Sequence, residues 1–309
     1  DFLRGLAGND TLNGGAGNDE VRYDRDAASG GTAGVTVNLA TGTATDGLGN
    51  TDTLVNIEMI RGTNSADSLT GGLIANYRFE SYRGLGGNDT IAGGLGYDEL
   101  RYDQDAANGG AAGIVVNLAL GTVTDGFGNT DTVSGIEGVR GTAQSDVFNG
   151  SDAVNFLGES FTGLGGNDTF NGGLGNDEVR YDSDAGFGGL AGVTVNLATG
   201  TATDGFGNTD TLNGIENVRG TAQNDTLIGN AANNTLRGLA GNDTLSGGDG
   251  FDTISYEFDI SEGGSFGVTV NLQTGVAIDG FGNTDTISSI ENVRGSALAD
   301  TITGDGTNN

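Results

Sequence analysis

The sequence predicts an all-β solenoid, and three regularities predict it. The chain repeats at long period: Asp1, Glu80, Glu159, Asn234 and Asn309 hold one phase, at spacings of 79, 79, 75 and 75. Residues 1–79, 80–158, 159–233 and 234–309 are therefore read as four modules of one continuous repeat. Each module contains two nine-residue segments back to back, GLAGNDTLN and GGAGNDEVR at 5–22, with counterparts starting at Gly84, Gly163 and Gly238. Each also contains a strictly alternating segment such as Gly34-Val35-Thr36-Val37-Asn38-Leu39, the pattern of a strand with one buried face. Length alone suggests about two domains, but self-similarity overrides that count.

Every nonapeptide has Asp at position six and an apolar residue at position eight. The aspartates are Asp10, Asp19, Asp89, Asp98, Asp168, Asp177, Asp243 and Asp252, and the apolar residues are Leu12, Val21, Ile91, Leu100, Phe170, Val179, Leu245 and Ile254. Glycine permits backbone paths that other residues resist, and Asp supplies a hard oxygen ligand. The spacing therefore suits metal binding. Leu6, Leu85, Leu164 and Leu239 replace the second glycine in the first nonapeptide of each pair, which predicts weaker binding there.

After the pair comes Tyr23-Asp24-Arg25-Asp26, a glycine-rich link, and the strand with Val35, Val37 and Leu39 inward, which recurs at Ile114, Val193 and Val268. Next is the turn Asp46-Gly47-Leu48-Gly49-Asn50-Thr51-Asp52, repeated from Asp125 to Asp131, Asp204 to Asp210 and Asp279 to Asp285. These acids either hold another cation or close an Asx-type turn on their own backbone. The nearby Thr43-Ala44-Thr45 gives one Thr pair per module, with gaps of roughly 20 Å, too sparse to present a threonine array to ice. Glu58 and Arg61 recur as Glu137/Arg140, Glu216/Arg219 and Glu291/Arg294, a stacked ion-pair ladder or a carboxylate- or sugar-binding groove. A degenerate nonapeptide places Asp67, Asp146, Asp225 and Asp300. The last slot is nine residues before Arg237 but thirteen in the first two modules, where it carries Tyr77, Phe79, Phe156 and Leu157. These aromatics either make lateral contacts or fold onto the solenoid edge.

The pattern GGxGxDxUx, with U large and apolar, resembles the RTX (repeats-in-toxin) calcium-binding repeat. The resemblance implies that six residues form a calcium-binding turn and three a short strand, with two nonapeptides to a coil of a right-handed parallel β-roll. It implies Ca²⁺ as cofactor, on the order of two or more ions per module. Partners lie one coil apart: Asp67 with Asp89, Glu80 with Asp98, Asp146 with Asp168, Glu159 with Asp177, and Asp225 with Asp243. Asn234 with Asp252 is one carboxylate short. It also implies a bacterial protein exported by type I secretion to the cell surface or beyond. The expected role is the calcium-binding structural region of an adhesin, biofilm-matrix protein, surface layer or filament. The alternative is the accessory tail of a secreted protease, lipase or alginate epimerase.

Composition narrows this further. The chain has 42 acids against 12 bases, all Arg, and a net charge of −30, which disfavours nucleic acid and anionic membranes as partners. No stretch has the length and apolarity of a membrane span, so no membrane insertion is expected. Disorder is the competing reading of an acidic, glycine-rich chain, opposed by the strict placement of apolar residues. The absence of His, Cys and Lys removes ordinary triads, thiol nucleophiles and zinc sites, so catalysis is not expected. Aspartates facing each other at the coil spacing of about 4.8 Å repel by roughly 3 to 4 kcal/mol at an effective dielectric near 20. Calcium reverses that sign, so binding and folding should be coupled. Near-identical modules in one phase at both ends suggest a fragment of a longer array that self-associates into fibres or surface arrays. Polysaccharide or cell-surface contact is a further candidate.

Overall fold

A computed structural model describes residues 1–72, 79–152 and 158–306. The chain divides into two compact units, Asp1–Ser151 and Asp152–Asn309. Each unit is nearly all strand and contains two sheets formed by short segments of successive coils.

In the first unit one sheet is wholly parallel, running through Phe2–Leu3, Glu20–Arg22, Met59–Arg61, Phe79–Arg83, Tyr97–Arg101 and Gly138–Arg140. Its register stacks like on like: Val21 lies beside Ile60, Ile60 beside Tyr82, and Leu100 beside Val139. The chain is the expected parallel β-roll, and its second sheet adds antiparallel pairs to the parallel coils. Thr43–Thr45 runs antiparallel to both Thr36–Asn38 and Thr51–Val55, a three-stranded meander inserted where parallel coils Thr11–Asn13 and Ser68–Thr70 flank it. The meander follows from its connections. Gly42 turns the chain at φ 65° and the Asp46 turn reverses it again, and connections this short allow only antiparallel neighbours. The second unit repeats the plan through Thr194–Asn196, Thr201–Thr203 and Thr209–Asn213, and again through Thr269–Asn271, Val276–Ile278 and Thr284–Ser288.

The meander also closes the gap expected between Thr pairs. Thr11, Thr53 and Thr43 lie side by side, as do Thr45, Thr36, Ser68 and Thr90, so hydroxyls run across these strands, until Val115 and Val147 interrupt the row further along the sheet. Such cross-strand pairs contribute about 0.2–1 kcal/mol each.

The inward residues of all eight nonapeptides are buried, as are Val35, Val37, Val193 and Val195 of the alternating strands. Leu39 and Leu118 are only half-buried. The stretch read as a glycine-rich link begins with a helical turn, at Ala27–Ser29, Asp105–Asn108 and Asp184–Phe187, stopped by Gly30, Gly109 and Gly188 in the left-handed region. Phe79 starts a parallel strand and stacks on Tyr97 with ring centroids 6.2 Å apart. Tyr77, Phe156 and Leu157 lie outside the described residues. No helix among the described residues is long and apolar enough to cross a membrane.

The expected Glu58–Arg61 pairing is corrected. Arg61 and Arg83 both reach Glu20, Arg140 reaches Glu99, Arg219 and Arg237 reach Glu178, and Arg294 reaches Glu257. An ion-pair ladder exists, but its acids come from the neighbouring coil. Parallel stacking puts Glu20 beside Met59, two residues before Arg61 and on the same face of the sheet as that arginine, whereas Glu58 ends the preceding turn.

Candidate metal centre

Each nonapeptide turn bends left-handed at positions two and four. Position four is glycine throughout, from Gly8 at φ 120° to Gly250 at φ 127°. At position two Leu6, Leu85, Leu164 and Leu239 have φ of 61, 69, 68 and 68°, the region that Gly15, Gly94, Gly173 and Gly248 occupy in the second nonapeptides. A left-handed non-glycine residue costs roughly 1–2 kcal/mol. The turn imposes its path on leucine at that cost, so the departure from glycine leaves the backbone unchanged. Leu85, Leu164 and Leu239 are also buried, which offsets the strain.

The first glycine of the turn is required by the aspartate. A Cβ on Gly84 would stand 2.0 Å from Asp89 Oδ2, and one on Gly238 would stand 2.1 Å from Asp243 Oδ2. The carboxylate therefore folds tightly against the glycine and is buried there.

One oxygen of these carboxylates is satisfied across the coil. Asp89 Oδ1 accepts the Asp67 amide at 2.8 Å, Asp177 Oδ1 the Glu159 amide at 2.9 Å, Asp243 Oδ1 the Asp225 amide at 2.9 Å, and Asp252 Oδ1 the Asn234 amide at 2.7 Å. Glu80 and Asp98 are adjacent in the sheet and share the Tyr82 hydroxyl, which donates to Glu80 Oε2 at 2.7 Å and lies 3.3 Å from Asp98 Oδ1. The structure thus brings these five sequence-predicted pairs together, each within its own unit. The other oxygen is left open. Oδ2 of Asp10, Asp19, Asp89, Asp98, Asp177, Asp243 and Asp252 is buried with no donor. Asp168 is buried in the equivalent turn.

The degenerate copies behave differently. Asp67 Oδ1 accepts the Val35 amide at 2.7 Å and the Thr63 hydroxyl at 2.9 Å, and Oδ2 accepts the Thr63 amide at 2.7 Å. Asp146, Asp225 and Asp300 accept the same three kinds of donor, with Thr142, Thr221 and Ser296 in the Thr63 position. These four carboxylates, expected to supply half of a metal site, each have protein donors on both oxygens. The cause is local. Thr63 is outside the left-handed region, so its amide and hydroxyl close on the acid, whereas left-handed Leu85 makes no such bond. Asn234 is likewise committed, accepting from the Asn230 amide and donating to the Glu216 carbonyl.

The Asp46–Asp52 turn closes on its own backbone through one oxygen of its first aspartate. Asp46, Asp125, Asp204 and Asp279 each accept, through Oδ1, the amides two and four residues on, an Asx turn. Asp52, Asp131, Asp210 and Asp285 turn away to accept a nonapeptide amide and a buried tyrosine hydroxyl, as Asp131 does from Asp89 at 3.0 Å and from Tyr102 at 3.0 Å. Sequence reasoning missed Glu58, Glu137, Glu216 and Glu291. Their carboxylates accept the amides of Asp19, Asp98, Asp177 and Asp252 and so extend the second column of acids. Their fixed distance of 39 residues from the turn aspartate was the available signal.

The columns are electrostatically costly. Burial, reinforced by Asp67, Asp131 and Asp125, pushes Asp89 up to about 9. Burial with Asp285, Asp225 and Asp279 nearby does the same to Asp243, also to about 9. Burial beside Glu80 and Glu137 raises Asp98 to about 7. Among the described residues no three acids converge on one point. The donors come as open carboxylate oxygens with turn backbone around them. That set fits calcium, which accepts six to eight oxygens including backbone carbonyls and water. Asp10, Asp19, Asp89, Asp98, Asp177, Asp243 and Asp252 are the residues that would hold it, supplying charge neutralisation rather than reaction chemistry.

A search of curated proteins finds no match to the chain. The family model of the RTX calcium-binding nonapeptide repeat matches it at residues 1–27, 83–101, 158–187 and 219–254, segments that contain all eight turns just described. The chain thus carries four copies of the RTX calcium-binding nonapeptide repeat.

Proposed function

We propose that calcium acts as the folding ligand of this chain, bound at the donorless Oδ2 atoms of the nonapeptide aspartates. The observation that carries the reading is the contrast within one fold. Turn carboxylates with left-handed neighbours keep a buried, open oxygen, while the look-alike Asp67 type has protein donors on both oxygens. An uncompensated buried carboxylate costs several kcal/mol, comparable with a domain's whole margin of about 5 to 15 kcal/mol. A cation that takes up several such oxygens converts that cost into cohesion. Circular dichroism tests this: a β spectrum in millimolar Ca²⁺, an unstructured chain in EGTA, and weak rescue by Mg²⁺, which dehydrates reluctantly. A chain equally folded in EGTA would sink it.

The chain is further read as a non-catalytic, calcium-stiffened segment of a large secreted or cell-surface bacterial protein, such as an adhesin, matrix, surface-layer or filament component. Repetition supports this, because an extender needs copies and an active site does not. Its setting is the cell exterior, where calcium is abundant, after export by a type I system. Electron microscopy of the native full-length protein should show it in surface structures or filaments. Finding it as the tail of a soluble secreted enzyme would decide for the accessory-tail role instead.

A further inference from the structure

A second kind of acidic centre lies away from the nonapeptide turns. It forms where the helical turn after each buried tyrosine meets the Asx turn of the meander. The carboxylate of Asp105, a residue 1 % exposed, accepts the Gly126 amide on Oδ2 at 3.0 Å, while its Oδ1 is buried with no partner. Gly126 follows Asp125, which is fully buried. Asp125 Oδ1 accepts from Phe127 and Asn129, and its Oδ2 is also buried with no partner. The second unit repeats this with Asp259 and Asp279. Asp259 Oδ2 accepts the Gly280 amide at 2.8 Å, and Asp259 Oδ1 and Asp279 Oδ2 have no partner.

From these observations the geometry points to a divalent cation, of the hard, oxygen-preferring calcium type, bridging Asp105 with Asp125 and another bridging Asp259 with Asp279. Two carboxylates present open oxygens at one buried junction, and among the described residues the arginine ion pairs run to other acids. The arginine ion pairs described in the first unit run to Glu20, Asp24, Glu99 and Asp103. Two buried anions linked through one glycine amide repel strongly unless a cation lies between them. Backbone carbonyls and water complete such a shell. The charges around Asp105 and Asp259 are consistent with this, Asp125 standing first among those that raise Asp105 and Asp279 first among those that raise Asp259.

The other two modules provide the internal control. Asp26 and Asp184 have the same buried, partnerless Oδ1. There, however, the Asn50 and Asn208 side-chain amides donate to Asp46 Oδ2 at 2.9 Å and Asp204 Oδ2 at 3.0 Å, filling the second carboxylate. At the proposed sites the corresponding asparagines look elsewhere: Asn129 Oδ1 accepts the Gly87 amide and Asn283 Oδ1 the Gly241 amide. The sequence places Asp-Gly-x-Gly-Asn in all four modules, so it is the asparagine's direction that separates two cation sites from two filled ones.

Native mass spectrometry of the full chain in calcium reads this as stoichiometry. The double substitution Asp105→Asn with Asp259→Asn should remove two ions, and Asp26→Asn with Asp184→Asn should remove none. A first variant that keeps the full count, or a second that loses ions equally, overturns the assignment. Should the first variant fail to fold, crystals of the unsubstituted chain soaked in Tb³⁺ give the answer. Anomalous peaks are expected between Asp105 Oδ1 and Asp125 Oδ2 and between Asp259 Oδ1 and Asp279 Oδ2. No peak there, with the nonapeptide turns filled, defeats this inference while leaving the calcium-folding reading intact. Empty nonapeptide turns beside these two peaks would do the reverse.

Discussion

Asp89 and Asp131 are 42 residues apart and joined by one hydrogen bond, the Asp89 amide donating to Asp131 Oδ1 at 3.0 Å. Asp67 in turn donates its amide to Asp89 Oδ1. Each acid in this column thus presents a backbone donor to the next coil and a carboxylate to the previous one. The arrangement satisfies one oxygen per residue and leaves Asp89 Oδ2 open, so the column is nearly self-sufficient but short of a counter-charge.

Replacing Asp89 by Asn should therefore act in opposite directions with and without calcium. The loss of a charged ligand, about 1.5–3 kcal/mol, should raise the half-saturating Ca²⁺ concentration roughly 10- to 150-fold at that turn. Without metal the variant should melt higher than the parent at neutral pH, because folding no longer requires that carboxylate to take up a proton. Calorimetry and melting curves check both signs. The Asp243 turn should be unaffected, since repeat units communicate mainly with neighbours.

The calcium-free chain should lose stability as pH rises. Asp89 and Asp243 are pushed up to about 9 in the fold, against about 3.9 unfolded. Between those values the folded chain holds protons that the unfolded chain has released, so stability is fully present below about pH 4 and declines through pH 9. Melting in metal-stripped buffer from pH 4 to 9 should show this fall. Saturating calcium should flatten it, with proton release on binding.

Leu6 and Leu85 separate strain from packing. Both are left-handed, at φ 61° and 69°, but Leu6 is 39 % exposed and Leu85 only 2 %. Leu6→Gly should stabilise by up to about 1 kcal/mol as strain is relieved. Leu85→Gly should destabilise by about 2 kcal/mol, because lost burial outweighs the same relief. Equal effects from the two substitutions in denaturant titrations would mean that burial does not decide the outcome.

Thr63→Val should cost about 1–3 kcal/mol, since it removes the hydroxyl that donates to Asp67 Oδ1 and accepts from the Ser65 amide. The cost should be the same with and without calcium, because Asp67 is satisfied by the protein itself. A loss that appears only in calcium would show that Asp67 is a metal ligand after all.

What the sequence by itself determined is whatever is local or periodic. The module period, the eight turns and their inward apolar residues were legible because a position-two and position-four bend and a strand of alternating burial are written within nine consecutive residues. The chemistry of the turn aspartates was legible for the same reason, Asp89 being held by its own Gly84. Tertiary structure decided which segments meet each acid. Asp67 and Asp89 occupy the same place in the motif, yet Asp67 Oδ1 accepts the Val35 amide 32 residues away and Asp89 Oδ1 the Asp67 amide 22 residues away. Arg61 meets Glu20 rather than Glu58, Glu58 joins the acid column through Asp19, and Asp105 comes to rest beside Asp125. All of these depend on coil stacking and on the antiparallel meander, which shifts the neighbours of every later strand. A hydrogen bond across stacked coils is set by register between distant segments, and register is fixed only when the whole apolar interior packs.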